Sequence, residues 1–153
     1  MIYFLWAAVF FLALIIQGSL SLFDITPNLT VLLAFYAGVK YGDIKGMAIG
    51  AIIGIFEDSL SGVFLGPNLL SKGLIGYLSS FLYMRVFMWN PFLGMISISL
   101  FTFADSLLVF FLRSIFDRTP AGAGTALLII AAQSLFNAPF GVFLKPKKKQ
   151  GWE

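Results

Sequence analysis

Cysteine and histidine are both absent from this chain of 153 residues. Without cysteine there are no disulfides and no thiolate metal sites, and without histidine the commonest general base and metal ligand is missing. Charge is scarce as well: only 11% of the residues are charged and 59% are hydrophobic, where a soluble domain carries roughly 25% charged residues. A surface so poor in charge is stable only against lipid, and the expected class is an all-α integral membrane protein. The length allows a single domain. Nucleic acid is not an expected partner, because four of the ten Lys and Arg residues that give the net charge of +3 sit in one tail, at Lys145, Lys147, Lys148 and Lys149. The tail at 145–153 reads instead as a basic cytoplasmic segment lying against anionic lipid. There is no Ser/His/Asp set, no phosphate-cradling glycine loop with its lysine and no helical histidine pair. The expectation is a protein that is not an enzyme and needs no cofactor or metal.

What is present is a succession of apolar runs, each near the roughly 20 residues that a membrane span requires. They cover 2–22, 27–41, 44–60, 67–84, 91–112 and 123–144, and predict a compact bundle of about six transmembrane helices within a single domain at 1–144. The first run lacks a basic leader and a small-residue cleavage site, so it reads as a retained helix rather than a signal peptide. Turn chemistry separates the runs: Asp24 to Asn28, Tyr41-Gly42-Asp43, Ser61-Gly62, Gly66-Pro67, Asn90-Pro91, and Thr119-Pro120 followed by Gly122 and Gly124. Pro27, Pro67 and Pro91 each suit the first turn of a helix, where a missing N–H costs nothing.

With six spans and a cytoplasmic N-terminus, the inner segments hold Lys40, Lys45, Arg85 and the tail lysines, and the outer segments hold Arg113 and Arg118. That is the bias of the positive-inside rule, and it places both termini in the cytoplasm. Trp6, Trp89 and Trp152 fall near inner ends, where an interfacial belt would put them. Run 27–41 is the shortest; were it re-entrant, only the N-terminus would change sides.

Glycine recurs every fourth residue at Gly38, Gly42, Gly46, Gly50 and Gly54. On the third run, Gly46, Gly50 and Gly54 form a stripe that lets another backbone approach closely. The stripe serves either packing inside the bundle or docking of a partner helix. Close to the following turn lie Glu57 and Asp58, and just beyond it Asn68 and Lys72. Antiparallel helices bring these to similar depth, where an unpaired charge costs roughly 2.5–3.5 kcal/mol. Lys72 is therefore expected to pair with Glu57 or Asp58. Asp105 lies well inside an apolar run with no basic residue within a helical turn, so it must face the interior, where Lys72 is the available cation. These five residues form a candidate intramembrane polar cluster, either a structural network or a proton or solute site. Gln133 and Asn137, one turn apart, are candidates for interhelical hydrogen bonds.

The order of these features resembles the MreD family, the small membrane subunit of the bacterial rod-shape system. The resemblance rests on Pro27-Asn28-Leu29, on Gly46, Gly50 and Gly54 leading into Asp58, and on Ser61-Gly62 and Leu65-Gly66. Gly76-Tyr77, and Asn137 shortly before Pro139, complete it. The family often carries Asp where this chain has Asn28. The resemblance implies a scaffold subunit of the bacterial cytoplasmic membrane that binds the bitopic protein MreC. It also implies association with the RodA glycosyltransferase, a class B penicillin-binding protein and MreB. The family fold is similar to the S components of energy-coupling-factor transporters, which keeps a small-solute-binding subunit as the alternative.

Overall fold

The computed structural model describes residues 2–19, 26–62, 64–85, 90–116 and 122–144. Among these there are six α-helices and no strand: α1 (Ile2–Ser19), α2 (Leu29–Tyr41), α3 (Asp43–Ser61), α4 (Pro67–Arg85), α5 (Pro91–Phe116) and α6 (Ala123–Asn137), the last followed by a 3₁₀ helix at Ala138–Val142. The side chains of Trp6 and Arg85 lie outside the described residues, as do Asp24, Trp89, Arg118, the Thr119-Pro120 turn and the tail from 145 onward.

The boundaries have local causes. Asn28 caps α2, its side chain accepting from the Val31 N–H at 3.3 Å, which satisfies one of the orphan donors of a helix start. A single residue, Gly42, ends α2 and opens α3; its φ of 91° is one that residues with a Cβ seldom adopt. Pro67 and Pro91 are the first residues of α4 and α5. α3 and α4 depart from the apolar runs by one residue at an end, and three departures are larger. α2 begins at Leu29, so Pro27 precedes the helix instead of opening its first turn, because the cap falls on Asn28. Helix α5 continues past Leu112 to Phe116, because Arg113 and Ser114 extend the same winding. Helix α6 stops at Asn137 because Pro139 has no N–H to donate, and the chain tightens into the 3₁₀ turn.

α2, α3 and α4 form the tightest unit, with α5 across α2 and α4, and α6 against α5. The apolar core is drawn from α2, α4 and α5: Val31, Leu32, Ala34, Phe35, Ile75, Ile98 and Phe101. Within it the Phe35 and Phe101 rings lie 5.4 Å apart at 57°. α1 leans on the bundle through Phe10, whose ring meets Phe56 of α3 at 5.7 Å.

The glycine stripe is consumed inside this unit. A Cβ at Gly50 would run into the Lys72 carbonyl, one at Gly54 into the Asn68 carbonyl, and one at Gly46 into Gly38 and the Gly76 carbonyl. Of the two roles expected for Gly46, Gly50 and Gly54, the stripe serves packing inside the bundle, of α3 on α4 and, at Gly46, on α2 as well.

Among the described residues two helices, Pro91–Phe116 and Ala123–Val142, are long and apolar enough to cross a membrane. α2, at 13 residues, spans about 20 Å against the roughly 30 Å of a bilayer core. α3 and α4 have 19 residues each but carry charged and small polar side chains. Buried charge and exposed large apolar side chains occur together, beside the apolar core. Lys72, Asp58 and Asp105 are 0%, 1% and 1% exposed, whereas Leu128, Leu135 and Phe143 are 73%, 71% and 83% exposed.

Candidate functional site

The buried polar residues converge where α3 ends and α4 begins, against the entry to α2 and the middle of α5. α4 brings in Lys72, five residues past its proline start, and the close seating of α3 on α4 sets its side chain between Glu57 and Asp105. The ammonium reaches Glu57 Oε2 at 2.9 Å and Asp105 Oδ2 at 3.3 Å, and donates to Asn68 Oδ1, one turn back, at 2.9 Å. Three donors meet three acceptors, so the buried cation is fully satisfied.

Two carboxylates share this one ammonium, and the surplus negative charge is met by neutral donors. Asp105 accepts from Asn28 Nδ2 at 2.8 Å and from Ser71 Oγ at 2.5 Å. Glu57 accepts from Thr30 Oγ1 at 2.8 Å. Thr30 also lies 2.9 Å from Asn28 Oδ1, but a hydroxyl has one proton, and a carboxylate is the stronger acceptor.

Asp58 does not join Lys72, which corrects half of the expected pairing. It accepts from the Gly66, Asn68 and Leu69 N–H groups at 2.9, 3.2 and 3.1 Å and from Asn68 Nδ2 at 2.8 Å. It caps α4, where a carboxylate answers both the orphan donors and the helix dipole. The sequence carried a signal for this. Asp58 continues the spacing of Gly46, Gly50 and Gly54, so it lies on the face turned to α4, whereas Glu57 is rotated about 100° away. Asn68 joins the two halves, donating to Asp58 and accepting from Lys72.

Gln133 and Asn137 make interhelical contacts. Gln133 donates to the Thr26 carbonyl at 2.6 Å and accepts from Ser106 at 3.0 Å. Asn137 donates to the Asn28 carbonyl at 2.8 Å and to Thr102 Oγ1 at 3.2 Å. Sequence reasoning missed Asn28, Thr30, Ser71, Thr102 and Ser106 as members of this system. Thr102, Asp105 and Ser106 were recognisable together, because spacings of three and four residues put them on one face of an otherwise apolar helix.

Chemically the arrangement is an ion lock. Lys72 has no lone pair free to act as a base while its three protons are held, and Ser71 Oγ is spent on Asp105. Among the described residues no group of His, Cys, Asp or Glu is placed to hold a metal ion. No family model matches the chain, and neither a curated protein nor a solved structure matches it.

Proposed function

We propose that the chain is a multi-pass protein of the bacterial cytoplasmic membrane that acts as a non-enzymatic scaffold, its outer apolar faces binding partner transmembrane helices. The observation that carries this reading is the pairing of buried charge with an apolar surface: an ion-paired, hydrogen-bonded cluster beside the apolar core, beneath exposed Leu, Ile and Phe. Exposed apolar side chains on α1, α3, α4, α5 and α6 are costly in water and cost nothing in hydrocarbon. The network fits a scaffold because each of its charges is matched by a partner within the fold. The resemblance to the MreD family gives this scaffold its setting, the cell-wall elongation complex, and a first partner in MreC. RodA, a class B penicillin-binding protein and MreB belong to the same assembly in this reading. Docking falls on the outer apolar faces, because the glycine stripe is occupied by α4 and α2.

A cavity of about 410 Å³ beside Glu57 favours a second reading, an S-type solute-binding subunit of a transporter. Purification from native membranes with identification of the co-purifying proteins separates the two. Recovery of MreC supports the scaffold, and recovery of ATPase subunits with a coupling membrane protein supports the transporter. Extraction of the chain from broken cells without detergent would refute both.

A further inference from the structure

The cavity beside the ion lock has walls of two kinds. Val109 and Phe110 of α5 with Ile129 and Ile130 of α6 make an apolar side, and Gln17, Glu57, Arg113 and Gln133 supply polar groups. It lies at one end of the bundle, where α1, α3 and α5 finish and α2, α4 and α6 begin. Arg113 stands three residues before the end of α5. In the membrane reading, on which this inference rests, that is the level of the lipid headgroups.

Two groups on the wall have unused bonding capacity. The Nε of Arg113 is buried without a hydrogen-bond acceptor, and among the described residues Arg113 makes no ion pair. A buried donor left open in this way is unfavourable unless something fills it. Glu57 offers the complement. Its hydrogen bonds from Thr30 and Lys72 both fall on Oε2, leaving Oε1 without one among the described residues, and its side chain is 16% exposed. A purely anionic ligand would meet Arg113 but be repelled by Glu57, and a purely cationic one would suffer the reverse.

We propose that this cavity binds a zwitterionic phospholipid of the phosphoethanolamine type. The phosphate lies on the Arg113 guanidinium, whose planar fork matches its oxygens. The primary ammonium donates to the open oxygen of Glu57, and the start of an acyl chain lies along Phe110, Ile129 and Ile130. The volume falls within the range of about 300–1,000 Å³ usual for small-ligand sites. The apolar wall selects a lipid over a free headgroup.

The test is native mass spectrometry and thermal melting of the delipidated full chain in detergent, with dioleoyl phosphatidylethanolamine, phosphatidylcholine and phosphatidylglycerol as probes, and soluble phosphoethanolamine as competitor. Phosphatidylethanolamine should be retained and should raise the melting temperature. Phosphatidylcholine, whose quaternary nitrogen has no proton to donate, should bind more weakly, and phosphatidylglycerol more weakly still. Arg113→Gln should cost about tenfold in affinity for phosphatidylethanolamine, the scale of one hydrogen bond to a charged group. Arg113→Lys should keep part of it, and the lipid-free melting temperature of neither variant should fall below the parent's, since each removes the stranded Nε donor. Equal retention of all three lipids, undiminished binding by Arg113→Gln, or competition by soluble phosphoethanolamine at the same concentration as the lipid would overturn the assignment. A detergent-dependent protein that fails these tests leaves the membrane reading standing; a protein that is soluble without detergent removes both.

Discussion

Replacing Lys72 by methionine nearly keeps the volume of the side chain, shortens it by one heavy atom and removes its charge, which makes it the most direct probe of the ion lock. The lysine is 0% exposed and holds three acceptors, at 2.9, 2.9 and 3.3 Å. Hydrogen bonds to charged groups contribute about 1.5–3 kcal/mol each, so the gross loss is about 4.5–9 kcal/mol. Relief of the lysine's own desolvation offsets part of that, and removing one partner of a buried ion pair typically costs about 3–5 kcal/mol. The two stranded carboxylates are not equivalent. Among the described residues, Asp105 keeps Asn28 and Ser71 as donors, whereas Glu57 keeps Thr30 alone. Lys72→Met should therefore destabilise by about 3–5 kcal/mol, measured by reversible unfolding in mixed micelles. Adding Glu57→Gln or Asp105→Asn should recover part of the loss, with coupling energies of about 1–3 kcal/mol. Asp58→Asn should couple to Lys72 more weakly than either, because the two communicate only through Asn68. A loss within about 0.5 kcal/mol for Lys72→Met, or a strong coupling to Asp58 with none to Glu57, would refute this account of the site.

Gly50→Ala should destabilise by about 1–3 kcal/mol because its methyl group overlaps the Lys72 carbonyl. Gly73→Ala on the facing helix meets nothing closer than 3.5 Å, and should be neutral or stabilising by up to about 1 kcal/mol; melting the two variants side by side checks the pair of signs. Asn28→Asp should retain the cap on Val31 but lose about 1.5–3 kcal/mol, because the donor to Asp105 becomes a second anion. Asp105→Asn should rescue it, and an unaltered melting curve for Asn28→Asp alone would count against the contact. Since the chain has no cysteine, single cysteines at Ile2 and Gln150 give a clean topology test. Both should resist a membrane-impermeant thiol reagent in intact cells, and labelling at position 2 alone would mean that α2 does not cross.

Much of the fold could be read from local pattern. The prolines opening α4 and α5 sit where their missing N–H is harmless, and glycines four apart announce close backbone contact without saying against what. Asp105 had to face inward because no neighbour on its own helix neutralises it. The choice between Glu57 and Asp58 was harder, because depth is the same for both and rotation decides. That rotation follows from the glycine contact, which turns Asp58 toward the α4 N-terminus and Glu57 toward α2 and Lys72.

The entry to α2 was not legible, although much of the polar system meets there. Thr26 lies ahead of the helix, so its carbonyl is outside the helical ladder, and the Asn28 carbonyl, at the cap, has a second lone pair to fill beside its bond into the helix. Buried backbone of this kind is tolerated only where other parts of the fold satisfy it. α6 does so, through Gln133 to Thr26 and Asn137 to Asn28. α1 adds Gln17, accepting from the Leu29 N–H at 3.2 Å. The side chains of the same few residues then reach Asp105 on α5 and Glu57 on α3, both held in turn by Lys72 of α4. These contacts join residues 77, 107 and 109 positions apart, and no periodicity within one helix reports on such separations. Asn28 in particular reads as an ordinary cap, the commonest role for asparagine before a helix. Its second role exists only because Asp105 arrives opposite it, which makes the neutral amide at that position the complement of the acid on α5.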